Sequence, residues 1–272
     1  MGSARSSGGA MVSLKGMSRL HRRAALCMFF AACITAGTGT SPAGAIEGGW
    51  PVANGDLPYV GRILIPYSST TSELCTVILI RPDVGITAKH CFKDHGYNPA
   101  FGAIAMRFGS TSSTEGGQVR TAVDLRLGSN FDLALVHFQS TTAIATLPLA
   151  RSDQKGLWKN GTVTLASGWG SNSPTLQAAN MKIKDQVYSS AQALSGYNYL
   201  MKAESYRGNV TPGDSGGPLI NEQSINGQVV ETLVGVLSQK SRGGAAAYTK
   251  VGSTLPWITS NLNSIPVLAP PA

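Results

Sequence analysis

The segment Gly213–Pro218, with the sequence GDSGGP, contains the residue best suited to nucleophilic chemistry, Ser215. A serine hydroxyl is a weak nucleophile until a base takes its proton. The flanking glycines allow a sharp turn and let a substrate carbonyl approach closely. The amides of Gly213 and Ser215 could then point together at a developing oxyanion. Taken alone, the segment is also compatible with an ordinary glycine-rich turn.

Three histidines downstream of residue 45 are candidates for the base. His90 lies in TAKHC, directly after an apolar run that is typical of a strand, and the adjacent cysteine could anchor it. His95 lies in the polar stretch KDHGYN, and we expect it to face solvent. His137 alternates with apolar residues in LALVHF, which predicts an outward-facing strand residue. His90 is therefore the predicted base.

A carboxylate is needed to hold the tautomer of the base and to stabilise its protonated form. Asp132 stands at the start of the apolar run in FDLAL and is the candidate. An aspartate at the start of a strand is also common as a turn or cap residue. The three candidates follow the order His90, Asp132, Ser215.

Short apolar stretches separated by turn residues must position these side chains. The predicted strands are 74–80, 103–108, 121–127, 133–138, 162–166, 182–187, 232–237 and 245–251. A helix is predicted at 254–262, and the Pro-rich tail at 264–272 has no apolar period and is expected to be loosely ordered. Strands about every ten residues predict an all-β barrel or sandwich.

Residues 1–45 have the pattern of a signal peptide. A basic stretch with three arginines precedes an apolar run at 24–36, and Ala-Gly-Ala at 43–45 fits a cleavage site. The apolar run is shorter than the roughly 20 residues that a membrane helix needs. A membrane anchor, lipid attachment at Cys33 and twin-arginine export are weaker alternatives. We therefore expect a secreted, extracellular protein with no stable membrane association after cleavage.

The formal net charge of +8 is concentrated in this leader, which contains five basic and no acidic residues, so +3 is left for the remainder. No basic stripe interleaved with aromatic residues follows, and we therefore expect no nucleic-acid partner. Only Cys75 and Cys91 lie outside the leader. Two cysteines in an exported domain favour a disulfide, and closing this loop is worth about 3 kcal/mol. No metal and no cofactor are expected, because the chain has no further ligand pair at zinc-like spacing.

Together, the motifs TAKHC, FDLAL and GDSGGP, the segment Gly168–Gly170 (GWG) and the cysteine pair resemble the chymotrypsin/trypsin family of serine proteases, from residue 46 to about 262. The resemblance implies an all-β fold of two six-stranded Greek-key β-barrels, at about 46–150 and 151–262, with a C-terminal helix. It implies a site between the barrels, with His90 and Asp132 from the first and Ser215 from the second.

The resemblance also implies an activation step. Family members acquire a new N-terminus that resembles Ile46-Glu47-Gly48-Gly49, and its amine pairs with the acidic residue before the nucleophile, here Asp214. The predicted signal cleavage after Ala45 leaves Ile46 first. Export itself is therefore expected to activate the enzyme.

Several positions depart from the family pattern around the specificity pocket. Asn209 resembles the pocket floor, where trypsin-like members carry Asp, so cleavage after Arg or Lys is not expected. Ala246 replaces a usual Gly in the pocket wall, and Thr211 replaces a cysteine. Lys89 and Glu47 replace a small residue and a Val, respectively, without removing a catalytic atom.

Ser238 matches the family serine that supports the aspartate and begins the substrate-binding strand. The family continues with Trp-Gly, whereas this chain has Gln239-Lys240. Lys240, with Arg242 nearby, could attract an acidic substrate group, or both could be solvated loop charges. The predicted function is a monomeric secreted serine endopeptidase that acts on protein or peptide substrates. A serine esterase and a catalytically silent binding homologue are the alternatives.

Overall fold

The computed structural model describes residues 45–93, 100, 102–170, 172–185, 199–206, 208–240 and 245–271. The predictions for the leader before residue 45, for His95 and for Arg242 lie outside this part of the chain. After a two-residue strand, β1 (Trp50–Pro51), the described chain forms two antiparallel barrels and a C-terminal helix.

Six strands close the first barrel in the order β2-β3-β4-β7-β6-β5. They are β2 (Val60–Pro66), β3 (Ser72–Arg81), β4 (Val84–Thr87), β5 (Ala105–Phe108), β6 (Gln118–Leu127) and β7 (Ala134–Phe138). Alternation in β2 places Ile63 and Ile65 in the barrel interior, where both are almost fully buried, while Arg62 and Leu64 are half-buried.

The second barrel repeats this topology, with the order β8-β9-β10-β13-β12-β11 and a β8–β9 pairing that closes the ring. Its strands are β8 (Val163–Gly168), β9 (Gln177–Asp185), β10 (Leu200–Ser205), β11 (Pro218–Ile225), β12 (Gln228–Lys240) and β13 (Ala245–Lys250). Two six-stranded barrels and a C-terminal helix confirm the predicted fold class. Residues 223–230 carry the β11–β12 connection, where Asn226 and Gly227 both have positive φ, as two-residue hairpin turns require.

Two helices and one 3-10 turn complete the described elements: α1 (His90–Lys93), the 3-10 turn Lys155–Trp158, and α2 (Val251–Ser264). The predicted helix at 254–262 is thus correct but short at both ends. Val251 and Ile258 supply its buried apolar face. None of the helices in the described residues is long and apolar enough to cross a membrane.

The N-terminal segment differs from the expected barrel boundary of 46–150. Ile46 packs in the core of the second barrel, and β1 pairs with β9 at Trp50–Ala178. The described chain therefore begins at the second barrel and crosses to the first at β2. This placement brings Ile46 to the loop that carries Ser215.

A buried ionic cluster corrects two sequence predictions, those for His137 and for the tail. Asp83 is fully buried, and its carboxylate accepts hydrogen bonds from Nε and Nη2 of Arg81 at 2.5 and 3.0 Å. Nε2 of His137 lies 3.5 Å from Asp83 Oδ2. His137 is only 4% exposed and not outward-facing, because this carboxylate gives it a polar neighbour inside the fold. The tail is held as well: the amide of Leu268 donates to Asp83 Oδ2 at 3.0 Å, and Ile265 is buried.

Candidate active site

His90 is fixed by a disulfide and by two hydrogen bonds. It begins α1, directly after β4, and the neighbouring Cys91 is bonded to Cys75 of β3. The His90 backbone amide donates to Asp132 Oδ1 at 2.8 Å, and its ring Nδ1 lies 2.7 Å from Asp132 Oδ2. With Nδ1 occupied by the carboxylate, Nε2 is the ring nitrogen that can take part in proton transfer.

The Asp132 carboxylate has a third partner from the second barrel. Ser238 Oγ donates to Asp132 Oδ2 at 2.7 Å, and Thr249 Oγ1 donates to the Asp132 carbonyl at 3.2 Å. Burial raises the pKa of Asp132, but the hydrogen bonds and charge of His90 and the bond from Ser238 outweigh it, so the net pKa lies below its usual value. The carboxylate is therefore ionised wherever His90 has to accept a proton.

The loop before Asp132 is packed and tethered on several sides. The Phe131 ring meets Trp257 of α2 and Tyr199 edge-on, each at a centroid distance of 5.2 Å. Lys89 Nζ donates to the Gly128 carbonyl in this loop at 2.8 Å. Lys89 is one of the residues that depart from the family pattern, and this hydrogen bond connects the segment before His90 directly to the loop before Asp132.

A hydroxyl and an amide from the first barrel hold the turn of Ser215 in the second. The Thr76 amide on β3 donates to the Ser215 carbonyl at 2.8 Å, and Thr76 Oγ1 donates to the Gly213 carbonyl at 3.0 Å. Gly213 and Gly216 have φ of 95° and 81°, which side chains rarely adopt. A Cβ at Gly216 would lie 2.0 Å from Thr87 Oγ1. The turn can therefore be formed only with glycine at these two positions.

Within this turn, two backbone amides have no hydrogen-bond acceptor among the described residues: those of Gly213 and Ser215. The intervening amide of Asp214 donates to the Thr211 carbonyl at 3.1 Å, and the amide of Gly216 donates to Leu237 at 2.8 Å. The amides of Asp214 and Gly216 are thus bonded within the protein, whereas those of Gly213 and Ser215 are available to an acceptor on a bound substrate. Such a pair is what an oxyanion requires.

Asp214 is the buried anchor of the same turn and is only 1% exposed. Its carboxylate accepts from the amides of Ile46 at 3.1 Å, Gly170 at 2.8 Å and Thr211 at 2.8 Å. Burial dominates over these hydrogen bonds and raises the pKa of Asp214. Ile46 offers only a peptide N–H here, and no cation among the described residues pairs with this carboxylate.

The contacts of Asp214 explain the Gly-Trp-Gly segment. A Cβ at Gly168 would lie 2.2 Å from Asp214 Oδ1, and one at Gly170 would lie 2.8 Å from Asp214 Oδ2. Trp169 between them is fully buried, and its amide donates to Thr76 Oγ1 at 3.1 Å. Gly168 and Gly170 therefore form the surface against which the buried Asp214 carboxylate packs.

An open cavity of about 420 Å³ brings the predicted residues together. His90, Asp132, Ser215 and Ser238 line it, with Gly213 at one side. Lys240 and Glu73 also line it. Glu73, which sequence reasoning missed, is the second residue of β3 and lies two residues before Cys75, and no local pattern marks it. In the described part of the chain, no three His, Cys, Asp or Glu side chains are grouped to hold a metal ion.

Two of the three expected specificity residues are not among those that line this cavity. Ala246 is fully buried in the core of the second barrel, and Asn209 is not among the lining residues; its amide donates to the Glu47 carbonyl at 2.7 Å. Lys240 and Thr211 do line the cavity. Glu47 contacts Asn209 through its backbone, so the type of its side chain matters little to this contact.

Sequence comparison finds peptidases among the relatives of this chain. An uncharacterized peptidase of Corynebacterium glutamicum is 32% identical over 189 residues, which cover 64% of this chain and 60% of that protein. The chain thus matches about three fifths of the length of this relative. Granzyme-like protein 1 of Rattus norvegicus is 26% identical over 248 residues, with 82% of this chain and 93% of that protein covered.

Solved structures with the same fold include a collagenase and an inactivated protease paralogue of the scabies mite. The collagenase has a TM-score of 0.65 at 21% identity, and the mite protein has 0.62 at 20%. Each comparison covers 79% of this chain and 97% of the other chain. A family model described as Trypsin matches residues 46–258. Because this match spans more than half of the chain, the protein belongs to the trypsin-like family of serine proteases.

Proposed function

We propose that the mature chain is a secreted serine endopeptidase in which Ser215 is the nucleophile, His90 the general base and Asp132 the carboxylate that orients it. The observation that carries this proposal is the hydrogen-bonded series Ser238–Asp132–His90, which opens on the cavity that Ser215 lines. An inactivated paralogue shares this fold, so the fold alone carries no activity, and these side chains support the proposal.

In the first half-reaction, Ser215 Oγ bonds to the scissile carbonyl carbon as its proton passes to His90 Nε2. The carbonyl oxygen becomes an oxyanion, for which the amides of Gly213 and Ser215 are the donors. The C–N bond then breaks, and His90 returns the proton to the leaving amine. Water, deprotonated by His90, hydrolyses the resulting acyl-enzyme and restores the Ser215 hydroxyl. Asp132 stays ionised throughout and stabilises the imidazolium.

Removal of residues 1–45 would activate the enzyme. Cleavage after Ala45 converts the Ile46 amide, which lies 3.1 Å from Asp214 Oδ2, into an ammonium. The buried carboxylate then gains the cation that it lacks in the uncleaved chain. This pair would stabilise the turn that bears the two oxyanion amides, so export and activation are one event.

Specificity for Arg or Lys is not expected. Asn209 lacks the acidic group that such a pocket needs, and one of the side chains that line the cavity is the cation Lys240. Lys240 favours substrates with an acidic or neutral residue at the cut. Glu73 lines the same cavity and favours basic groups where the substrate passes it.

A fluorophosphonate probe tests the nucleophile directly. Mature protein that begins at Ile46 should gain a single adduct on Ser215, and the His90→Ala variant should label at least about a hundredfold more slowly. Gln239→Ala, which changes a cavity residue outside the relay of His90, Asp132 and Ser215, is the matched control and should label at nearly the normal rate. Absence of an adduct on folded, correctly processed protein would favour a silent binding homologue instead.

A further inference from the structure

Two arginines face each other on the first barrel, away from the active-site cavity. Arg62 of β2 and Arg107 of β5 are direct cross-strand partners in an antiparallel pairing. Like charges placed directly opposite one another destabilise a sheet. Within the described part of the chain, neither guanidinium has a carboxylate partner. The pair therefore maintains a local excess of positive charge at a cost to stability.

Arg62 also has unused hydrogen-bonding capacity. Its Nε is buried and has no acceptor, and its Nη1 makes only a long contact of 3.5 Å to the Ser113 carbonyl. Burial, and then the charge of Arg107, lower the pKa of the Arg62 guanidinium. An anion beside the guanidinium would offset this positive charge and offer an acceptor to its Nη groups. The two guanidinium groups therefore lack a negatively charged acceptor among the described residues.

A cavity of about 280 Å³ lies at this pair and has a mixed lining. Leu64, Ala105 and Val119 supply apolar walls, and none of the described residues that line it is acidic. Val119 is 49% exposed, so this wall opens to solvent. A free inorganic anion or a sulfated polysaccharide would leave the apolar walls unused. An extended polypeptide can present an acidic side chain next to an apolar one. The acidic group would meet the two arginines, and the apolar group would pack on the apolar walls.

The cavity lies one strand away from the turn of the nucleophile, on the same outer face of the barrel. Ile63 and Ile65 point into the barrel, so Leu64 between them points outward. Leu64 pairs with Leu74 of β3, and Leu74 in turn abuts Gly213, where an added Cβ would lie 3.2 Å from Leu74 Cδ2. Neighbouring strands are about 5 Å apart. A polypeptide that leaves the active-site cavity past Leu74 therefore reaches the arginine pair within a few residues.

We propose that Arg62 and Arg107, with the apolar walls beside them, form a docking site for an acidic and apolar segment of a polypeptide substrate, separate from the cavity that holds the scissile bond. That the docked polypeptide is a substrate rests on the proposed endopeptidase function. The binding itself does not, because the arginine cavity contains none of the residues of the relay.

The test measures binding on catalytically inert protein. The probe is a fluorescein-labelled peptide with alternating Glu and Leu or Phe residues, and its partner peptide has Gln in place of every Glu. On mature Ser215→Ala protein, fluorescence anisotropy should detect the Glu peptide, and the Gln peptide should bind at least about tenfold more weakly. Adding Arg62→Gln or Arg107→Gln should weaken binding of the Glu peptide by about tenfold each.

Controls separate a built site from general positive charge. Arg126→Gln removes the same charge from β6 of the same barrel, outside the cavity, where Arg126 pairs with Asp124 at the surface, and should leave binding unchanged. Because Arg62→Gln and Arg107→Gln each relieve a like-charge pair, both should melt no lower than the parent protein, so lost binding would not reflect unfolding.

Three results would overturn the proposal: equal loss with Arg126→Gln, equal binding of the Glu and Gln peptides, or preferential binding of heparin over the Glu peptide. Hydrolysis of a short ester or amide by the protein with Ser215 intact reports separately on the proposed function. It should be unaffected by the Arg62 and Arg107 variants.

Discussion

Blocking the Ile46 amine is expected to disable the site without touching any residue of the relay. The perturbation is a chain that begins at residue 43, so that Ala45 remains attached and Ile46 offers only its peptide N–H. Ile46 and Asp214 are 2% and 1% exposed, so the pair is shielded from solvent. Removing one partner of a buried ion pair costs about 3–5 kcal/mol. The ordered turn should therefore become about 10²- to 4 × 10³-fold less populated.

The assay compares the second-order rate of fluorophosphonate labelling at Ser215 for the extended and mature chains. The extended chain should label slower by about the same factor, 10² to 4 × 10³. Trimming it to Ile46 with an aminopeptidase should restore the rate, which separates loss of the amine from misfolding. Labelling of the extended chain at the full rate would refute the reasoning, because the turn would then be ordered without the cation.

The two forms should also differ in how stability depends on pH. In the extended chain, the raised pKa of Asp214 means that stability is lost as pH rises from the ordinary aspartate range through the raised value. In the mature chain, pairing raises the pKa of the Ile46 amine above about 8. Its contribution is fully present below the unfolded pKa and is lost as pH rises through the folded pKa. Thermal unfolding across pH 4–10 distinguishes the two profiles.

Three further substitutions probe separate supports of the fold and the site. Ser238→Ala removes the 2.7 Å hydrogen bond to Asp132, so the pKa of Asp132 should rise toward its usual value and kcat/KM should fall about tenfold with little change in KM. Replacing Cys75 and Cys91 together by Ala opens a 16-residue loop and should lower the free energy of unfolding by about 3 kcal/mol, as urea titration would measure. Arg81→Met leaves the buried Asp83 carboxylate without its cation and should lower the free energy of unfolding by about 3 kcal/mol. Limited proteolysis of the C-terminal tail should also become faster, and an unchanged digestion rate would contradict the tail contacts.

The barrels and the candidate relay were predictable because their signals are local. Each of the three relay residues sits in a short motif where a turn, a strand start or a cysteine restricts the backbone. The period-two pattern located most strands to within a few residues. The two-barrel arrangement came from the family resemblance, since alternation alone allowed a sandwich as well.

Contacts between distant segments were not predictable. Thr76 reads as an ordinary strand residue, yet it holds the Ser215 turn through residues more than 130 positions away. His137 and the tail were predicted wrongly because their shared partner, Asp83, looks like a turn residue after Pro82. Only the fold shows that this carboxylate is buried between them. Charged residues in turns therefore deserve caution when exposure is inferred from sequence.

Cleavage of an unfolded polypeptide is the most direct test of the central claim. Mature protein and its Ser215→Ala variant, purified in parallel, are incubated with a reduced, alkylated protein, and new internal amino termini are identified by mass spectrometry. Internal termini are expected with the parent protein, few of them after Arg or Lys, and none with the variant. Hydrolysis of small esters without any new termini would contradict endopeptidase function and identify an esterase, and equal cleavage by both proteins would show that Ser215 is not the nucleophile.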